Sequence, residues 1–437
     1  MRAEQRDRYR LIIGVLCMVI GVLLIMLIGP SHVPAKSNVV VPETVKLVMD
    51  GSIKAEKTAN LVQTHSGATL ITAAEWQEKY PEIYASYASN SENDQVQDYV
   101  RDYPMIQTLF KGYGFAKSYG SARGHTYVVE DVTSTGRPHK MANCFTCKTP
   151  MLSYAVNEQG VEIYSMPFED FQNDILAQTN EVLSCYNCHA NTPGEITVTH
   201  TYLANALGED FGHVDAENLA CGQCHVDYYF DPATKAVTLP YTNLSTMSPD
   251  AMLEYYNNLI VDGQVFADYV QEDSGVRQIM INHPELETYL GEGSVHKGMF
   301  TCADCHMGTV VTKNGDVYPS HFLQSPLTNE DLLKNTCSQC HSDLKAEVAA
   351  IQKEAEDRTY EIGYKLEALI NRVTEAANSG EYTEEELDAI RMAFRNAQFY
   401  WNFVFVENSE GAHNSALTRD CLNKSETLIA ECEALFK

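Results

Sequence analysis

The sequence predicts a mainly α-helical fold, with long helices at the C-terminus and one apolar helix at the N-terminus, on either side of a cysteine-rich segment. Three observations predict it. After residue 341 apolar residues recur at three- and four-residue steps: Leu344, Val348, Ile351, Ala355, Ile362, Leu366, Leu369 and Val373. Near the start, Arg2, Arg6, Arg8 and Arg10 precede an uncharged run from Leu11 to Ile28. Between these ends lie five Cys-x-x-Cys pairs, each followed at once by a Lys or a His.

The N-terminal run is just long enough to cross a bilayer as a helix, and its arginines favour the cytoplasmic side. A cleaved signal peptide is the rival reading. Ile28-Gly29-Pro30-Ser31-His32 is a poor cleavage site of the small-x-small kind, which favours a retained anchor over residues 1–29. Residues 30–62 read as a linker. Residues 63–437 read as one domain, with the cysteine motifs at 144–341 and the long helices at 342–437. Either N-terminal reading places this domain outside the cytoplasm: in the periplasm or on the outer face of the cell membrane.

Four of the motifs read CxxCH: Cys185 and Cys188 with His189, Cys221 and Cys224 with His225, Cys302 and Cys305 with His306, Cys337 and Cys340 with His341. The first reads CxxCK: Cys144, Cys147 and Lys148. CxxCH is the attachment site of c-type haem. The two thiols form thioethers to the porphyrin, and the next side chain reaches the iron. A single CxxC would fit a zinc half-site or a redox disulfide equally well. Five pairs that all carry a ligand directly after the second cysteine fit neither. The expectation is five haems c packed in the core, one of them unlike the rest through its lysine. Bound haems replace part of a normal apolar core, so 44% hydrophobic composition suffices. The other cysteines, Cys17, Cys421 and Cys432, read as thiols without chemistry; the last two are too far apart along one helix for a disulfide.

The formal charge of −28 excludes nucleic acid as a partner and repels anions at long range. Any anion-binding site therefore needs local positive charge. Loops separate the motifs, among them Asn191-Thr192-Pro193-Gly194 and Lys313-Asn314-Gly315-Asp316, and their spacing is unequal, unlike a copied repeat. At the C-terminal end, Asn378-Ser379-Gly380 closes the first long helix. Thr383 with Glu386 makes a capping box for a second, which carries Leu387, Ile390, Phe394 and Tyr400, and a third runs from about Ser415 to Phe436. These helices read as a flank bundle, with a dimer face as a weaker inference.

A six-coordinate haem needs a distal ligand, usually His or Met. Of 14 histidines four belong to the motifs, and spacing does not choose among the other ten. Here the chain resembles the ammonia-forming cytochrome c nitrite reductases, the pentahaem enzymes, from about residue 103 to the C-terminus. The strings that carry the resemblance are Arg123-Gly124-His125 upstream of the CxxCK motif and Cys221 to Phe230 around the third. Then come His283-Pro284-Glu285, His296, Tyr318-Pro319-Ser320-His321, and Glu407-Asn408-Ser409-Glu410-Gly411 before His413.

The resemblance implies that Lys148 is the proximal ligand of a catalytic haem and that Arg123, Tyr228 and His283 line its distal pocket. It implies four bis-histidine haems for electron transfer: His225 with His125, His341 with His296, His189 with His321, and His306 with His413. His32, His65, His139, His200 and His213 are then core, linker or surface residues. The implied reaction is the six-electron reduction of nitrite to ammonium in dissimilatory nitrite ammonification. The implied partners are nitrite, a quinol-oxidising multihaem cytochrome of the membrane as electron donor, and a second copy in a homodimer. A pure electron carrier is the rival from another class; it would need protein ligands on both faces of all five irons. Hydroxylamine and sulfite stay open as further substrates.

Many relatives hold a calcium beside this pocket. The candidate ligands here are Asp227, Tyr228, Met280 and Asn282, with Asp and Asn where relatives carry Glu and Gln. Each is one methylene shorter but keeps an oxygen donor suited to a hard cation. A calcium-free pocket, with Arg277 as the source of positive charge, is the alternative.

Mass spectrometry of the native protein should find five haems on a chain that still carries residues 1–29. A mass fitting four haems removes the CxxCK site, and a start near residue 31 to 40 shows the segment to be a cleaved signal.

Overall fold

In the computed structural model the described residues are 57–437, apart from 115–119, 121–122, 137–139 and 312–313. The expected anchor and nearly all of the linker fall outside them. Among the described residues no helix is long and apolar enough to cross a membrane.

The fold is mainly helical, and most helices before residue 341 are short. The strands form five separate two-stranded ribbons rather than one sheet. One is parallel, joining Asn60–Leu61 to Thr197–Val198. The other four are antiparallel, among them Tyr229–Phe230 with Val237–Thr238 and Tyr269–Val270 with Arg277–Gln278. Short elements suit a chain that wraps flat prosthetic groups instead of burying its own faces against one another.

The C-terminal helices follow their local chemistry. The first spans Leu344–Ser379, opened by the Asp343 carboxylate on the Ala346 N–H and closed by Gly380 at φ 71°. At 36 residues it runs about 54 Å from end to end. The second spans Glu384–Phe405, with the expected Thr383–Glu386 box in place. The third spans Ser415–Glu433. All three pack together, burying Leu366, Ile370, Val373, Ile390, Phe394, Trp401, Leu422 and Ile429. Trp401 donates from its indole N–H to the Thr359 carbonyl at 2.7 Å and stacks on Phe405. Cys421 and Cys432 are buried and free, as expected of packed thiols.

The second helix also carries a polar stripe that its apolar periodicity does not announce. Arg395, Gln398 and Asn402 are all buried, at 1%, 0% and 0% exposure. Their spacing places them on one face. Arg395 donates to the carbonyls of Arg277 and Tyr256 and to Oδ1 of Asn257. Burial lowers the Arg395 pKa to about 10, against the pull of Asp268. Gln398 accepts from the Gln278 amide at 2.8 Å, and Asn402 accepts from the Ile281 N–H at 2.9 Å. The helix thus grips residues 277–281, the segment that leads into His283.

Arg395→Ala should leave three acceptors in low dielectric without donors. Each such loss costs about 1–3 kcal/mol, so urea unfolding should show a clear drop in midpoint. An unchanged midpoint would mean that water replaces the guanidinium at no cost.

Candidate haem centres and pocket

The motifs sit on tight helical turns, where the two cysteines at i and i+3 share a face and the ligand at i+4 lies beside the first. Cys185–His189 and Cys302–His306 are single-turn helices. The first is capped by Ser184 with Asn187, the second by Thr301 with Asp304. The third motif begins within the helix Ala216–Gly222, and the first and fifth lie at 3-10 turns. None of the ten motif cysteines is paired in a disulfide. The third motif is the hub. Cys147 meets the Cys224 carbonyl at 3.8 Å, Cys188 meets that of Ala220 at 4.0 Å, and the Cys302 N–H donates to Asn218 at 2.9 Å.

Gly222 in this motif is required by close approach: a Cβ there would lie 2.7 Å from Leu286 Cδ2. Gln223 is buried, and its side chain joins Asn187, Thr199, His200 and Ala220, tying the second and third motifs together.

The structure brings together each of the four expected histidine pairs. Ring centroids are 6.2 Å apart for His125 and His225, and 6.2 Å for His189 and His321. They are 6.0 Å apart for His296 and His341, and 5.9 Å for His306 and His413. An imidazole nitrogen sits roughly 2 Å from a bound transition metal, so two rings on opposite faces of one metal have centroids about 6 Å apart. The donor spacing therefore fits one iron per pair. Among the described residues no three His, Cys, Asp or Glu side chains converge as a metal cluster, so pairs are the unit.

Second nitrogens of these rings are held in different ways. Backbone carbonyls of Glu195, Gln324 and Pro319 meet Nδ1 of His189, His306 and His321. Carboxylates of Glu407 and Glu347 meet Nδ1 of His413 and His341 at 2.7 and 2.6 Å. Nδ1 of His125 is buried and has no hydrogen-bond partner. Burial, helped by the charges of His225 and Lys148, pushes the His125 pKa down to about 3, which keeps the ring neutral as a metal ligand requires.

Lys148 follows the turn Ala142–Phe145, its N–H on the Phe145 carbonyl, and precedes the helix Pro150–Gln159, which Thr149 caps. Its charge reaches both His125 and His283. The His283 ring lies 6.1 Å from that of His225. Its backbone is left-handed, φ 43°, directly before Pro284. For a residue other than glycine this conformation is strained and persists only where surroundings impose it. Burial is the main cause that lowers the His283 pKa, to about 4.

Arg123 has other partners. Its guanidinium donates to Asp131 at 3.0 Å, pairs with Glu130 at 3.2 Å and lies 4.2 Å over the Tyr127 ring. Its positive charge is thus shared with two carboxylates. Arg277 turns to the Val265 carbonyl and the Gln264 amide, at 2.7 and 2.6 Å, and not into the pocket. His200 is a buried core residue stacked on Tyr202, and His139 lies outside the described residues.

The candidate calcium ligands do converge. The carbonyls of Tyr228 and Met280 both accept from Nδ2 of Asn282, at 3.2 and 3.1 Å. Asp227 is fully buried and accepts from the Asn282 N–H and the Tyr256 hydroxyl. Glu287, also buried, accepts from the Asp227 N–H. Burial pushes both carboxyls well above their usual range. Two carbonyl oxygens meeting on one neutral amide donor, beside two buried acids, fit a hard cation. The Asn282 amide must turn for its oxygen to join them. Periodicity and motif spacing gave no sign of Glu287 or Asn408; their only signal was proximity in sequence to His283 and His413.

Five covalent attachment motifs and four facing imidazole pairs define a multihaem c-type cytochrome. The cytochrome c552 family profile matches residues 72–436. The chain belongs to that family, its cofactors are five haems c, and the resemblance to the ammonia-forming cytochrome c nitrite reductases holds across it. It is 29% identical over 425 residues to the cytochrome c nitrite reductase subunit NrfA of Nitratidesulfovibrio vulgaris, covering 86% of this chain and 80% of the relative. The structure is similar to the cytochrome c nitrite reductase of Desulfovibrio desulfuricans, described with two calcium sites in its catalytic subunit. The TM-score is 0.74 at 27% identity, over 83% of this chain and 85% of that one.

Replacing His125, His296, His321 or His413 by Ala should each strip one distal ligand. Electron paramagnetic resonance should then lose one low-spin signal while the others persist. A variant with an unaltered spectrum would show its pair to be wrongly matched.

Proposed function

We propose that the chain reduces nitrite to ammonium at the haem of the CxxCK motif, taking six electrons delivered through the four bis-histidine haems. The observation that carries this reading is Lys148, the one lysine where four motifs have histidine. Haem held by Cys144, Cys147 and Lys148 would supply the iron and the electrons for that reduction.

The protein's own groups then have distinct tasks. Lys148 would hold the iron through its amine nitrogen. Tyr228 offers a phenolic donor. His283 has one ring nitrogen held by Asn408, so from the other it can donate a hydrogen bond to bound nitrite and pass protons on as N–O bonds break. Arg123 supplies the permanent charge that an anion needs in a chain of net charge −28. Asp131 and Glu130 must yield part of their hold on it for that role.

Asp227, Tyr228, Met280 and Asn282 would hold a calcium here, which would offset the buried Asp227 charge. The attachment of c-type haem supports a place outside the cytoplasm, anchored by residues 1–29. The electron donor in this reading is a quinol-oxidising multihaem cytochrome of the membrane, and the protein acts as a homodimer through its long helices.

Lys148→His should keep five haems but lose most nitrite turnover, and His283→Ala should lower the rate by about a hundred- to a thousandfold, the usual cost of losing a preorganised donor. Chelating calcium should lower turnover too. Wild-type rates in both variants would sink the assignment of this pocket.

A further inference from the structure

We propose that Glu285 is a positioning residue for both an electron-transfer haem and the pocket. Its one carboxylate stands behind the His225 ring and, with Asn408, behind the His283 ring. The idea rests on the reading of His283 as a pocket residue.

The carboxylate is buried, at 7% exposure. Its Oε1 accepts from Asn408 twice, from the side-chain amide at 2.6 Å and the backbone N–H at 3.2 Å. The same amide lies 3.3 Å from Nδ1 of His283, and Oε1 itself lies 3.9 Å from that nitrogen. Oε2 has no hydrogen bond; the group facing it is Nδ1 of His225, at 3.4 Å. A buried carboxylate oxygen without a donor is costly, and the imidazole N–H is the donor at hand.

Glu285 is carried to this place by the motif itself. The Leu286 N–H donates to the His225 carbonyl at 3.0 Å, and Leu286 packs where Gly222 has no side chain. Carboxylates also stand behind His413 and His341, but each serves a ligand ring only. Among the described residues Glu285 is the one that faces both a ligand ring and the pocket ring.

The physical consequences differ for the two rings. A carboxylate accepting the outer N–H of an axial histidine raises the basicity of that ligand and stabilises the oxidised iron. For His283, engagement of Nδ1 through Asn408 fixes the ring and leaves Nε2 as the edge that meets substrate. One residue thus sets how readily the neighbouring haem gives its electron and where the proton-donating ring stands.

The test uses the full holoprotein. Glu285→Gln should raise the midpoint potential of one low-spin haem and shift its paramagnetic resonance signal. It should also weaken cyanide binding at the open haem several-fold and lower kcat for nitrite by about 10–100-fold, the typical cost of losing such a partner, with KM changed less. Asn408→Ala should affect cyanide binding and kcat but leave that midpoint at its wild-type value. The idea is overturned if Glu285→Gln moves only one of midpoint and cyanide affinity, or neither. If Glu285→Gln loses haem, Asn408→Ala decides: normal cyanide affinity and kcat, or a shifted midpoint, overturn it. A wild-type protein inert to nitrite would remove the proposed activity, while midpoint and cyanide affinity would still judge Glu285.

Discussion

The pocket depends on a polar grip. Arg395, Gln398 and Asn402 on the second long helix hold the strand Arg277–Gln278 and its extension to Ile281 through one carbonyl, one side-chain amide and one N–H. Beyond that strand the chain turns through His283 with a left-handed backbone. A strained residue keeps its conformation only where neighbours over-determine it. Here they do so on both sides. The helix fixes the strand before the turn, and the contact of Leu286 with His225 and Gly222 fixes the backbone after it. A bundle that reads as a flank in the sequence is therefore the support on which the candidate chemistry stands.

The third motif plays the same part for the haem centres. Its helix is approached by the first, second and fourth motifs, and Gln223 joins segments far apart in the chain. The close approach of the motifs would bring their haems near one another, which suits electron transfer between them. It also explains the short elements between residues 140 and 340. Each helix turn presents one set of cysteines and ends, because the next surface to be covered is a porphyrin and not another helix.

Charge is arranged on two scales. The chain as a whole is strongly acidic, which favours solubility and opposes the approach of an anion. Within the pocket, buried acids such as Asp227 and Glu287 are held away from ionisation by burial. Arg123 keeps its charge, shared with Asp131 and Glu130. Local positive charge is thus the scarce element, and Arg123 bears on it.

Motif chemistry is local, so the sequence by itself determined the number of haem motifs, the odd lysine and the candidate proximal ligands: cysteine and candidate ligand are at most four residues apart. Helix ends were equally legible at Gly380 and at Thr383 with Glu386, because capping is decided within one turn. The histidine pairs became legible only through resemblance, since the partners lie from 45 to 132 residues apart, as His296 with His341 and His189 with His321 show. What only the tertiary structure decided is the group standing behind each ligand and pocket residue: Glu285 and Asn408 at His283, Asp131 at Arg123, the Asn282 amide between two carbonyls. Such contacts join residues without periodicity or fixed spacing. They exist because burial leaves every polar atom in need of a partner, and only the folded chain determines which one is near.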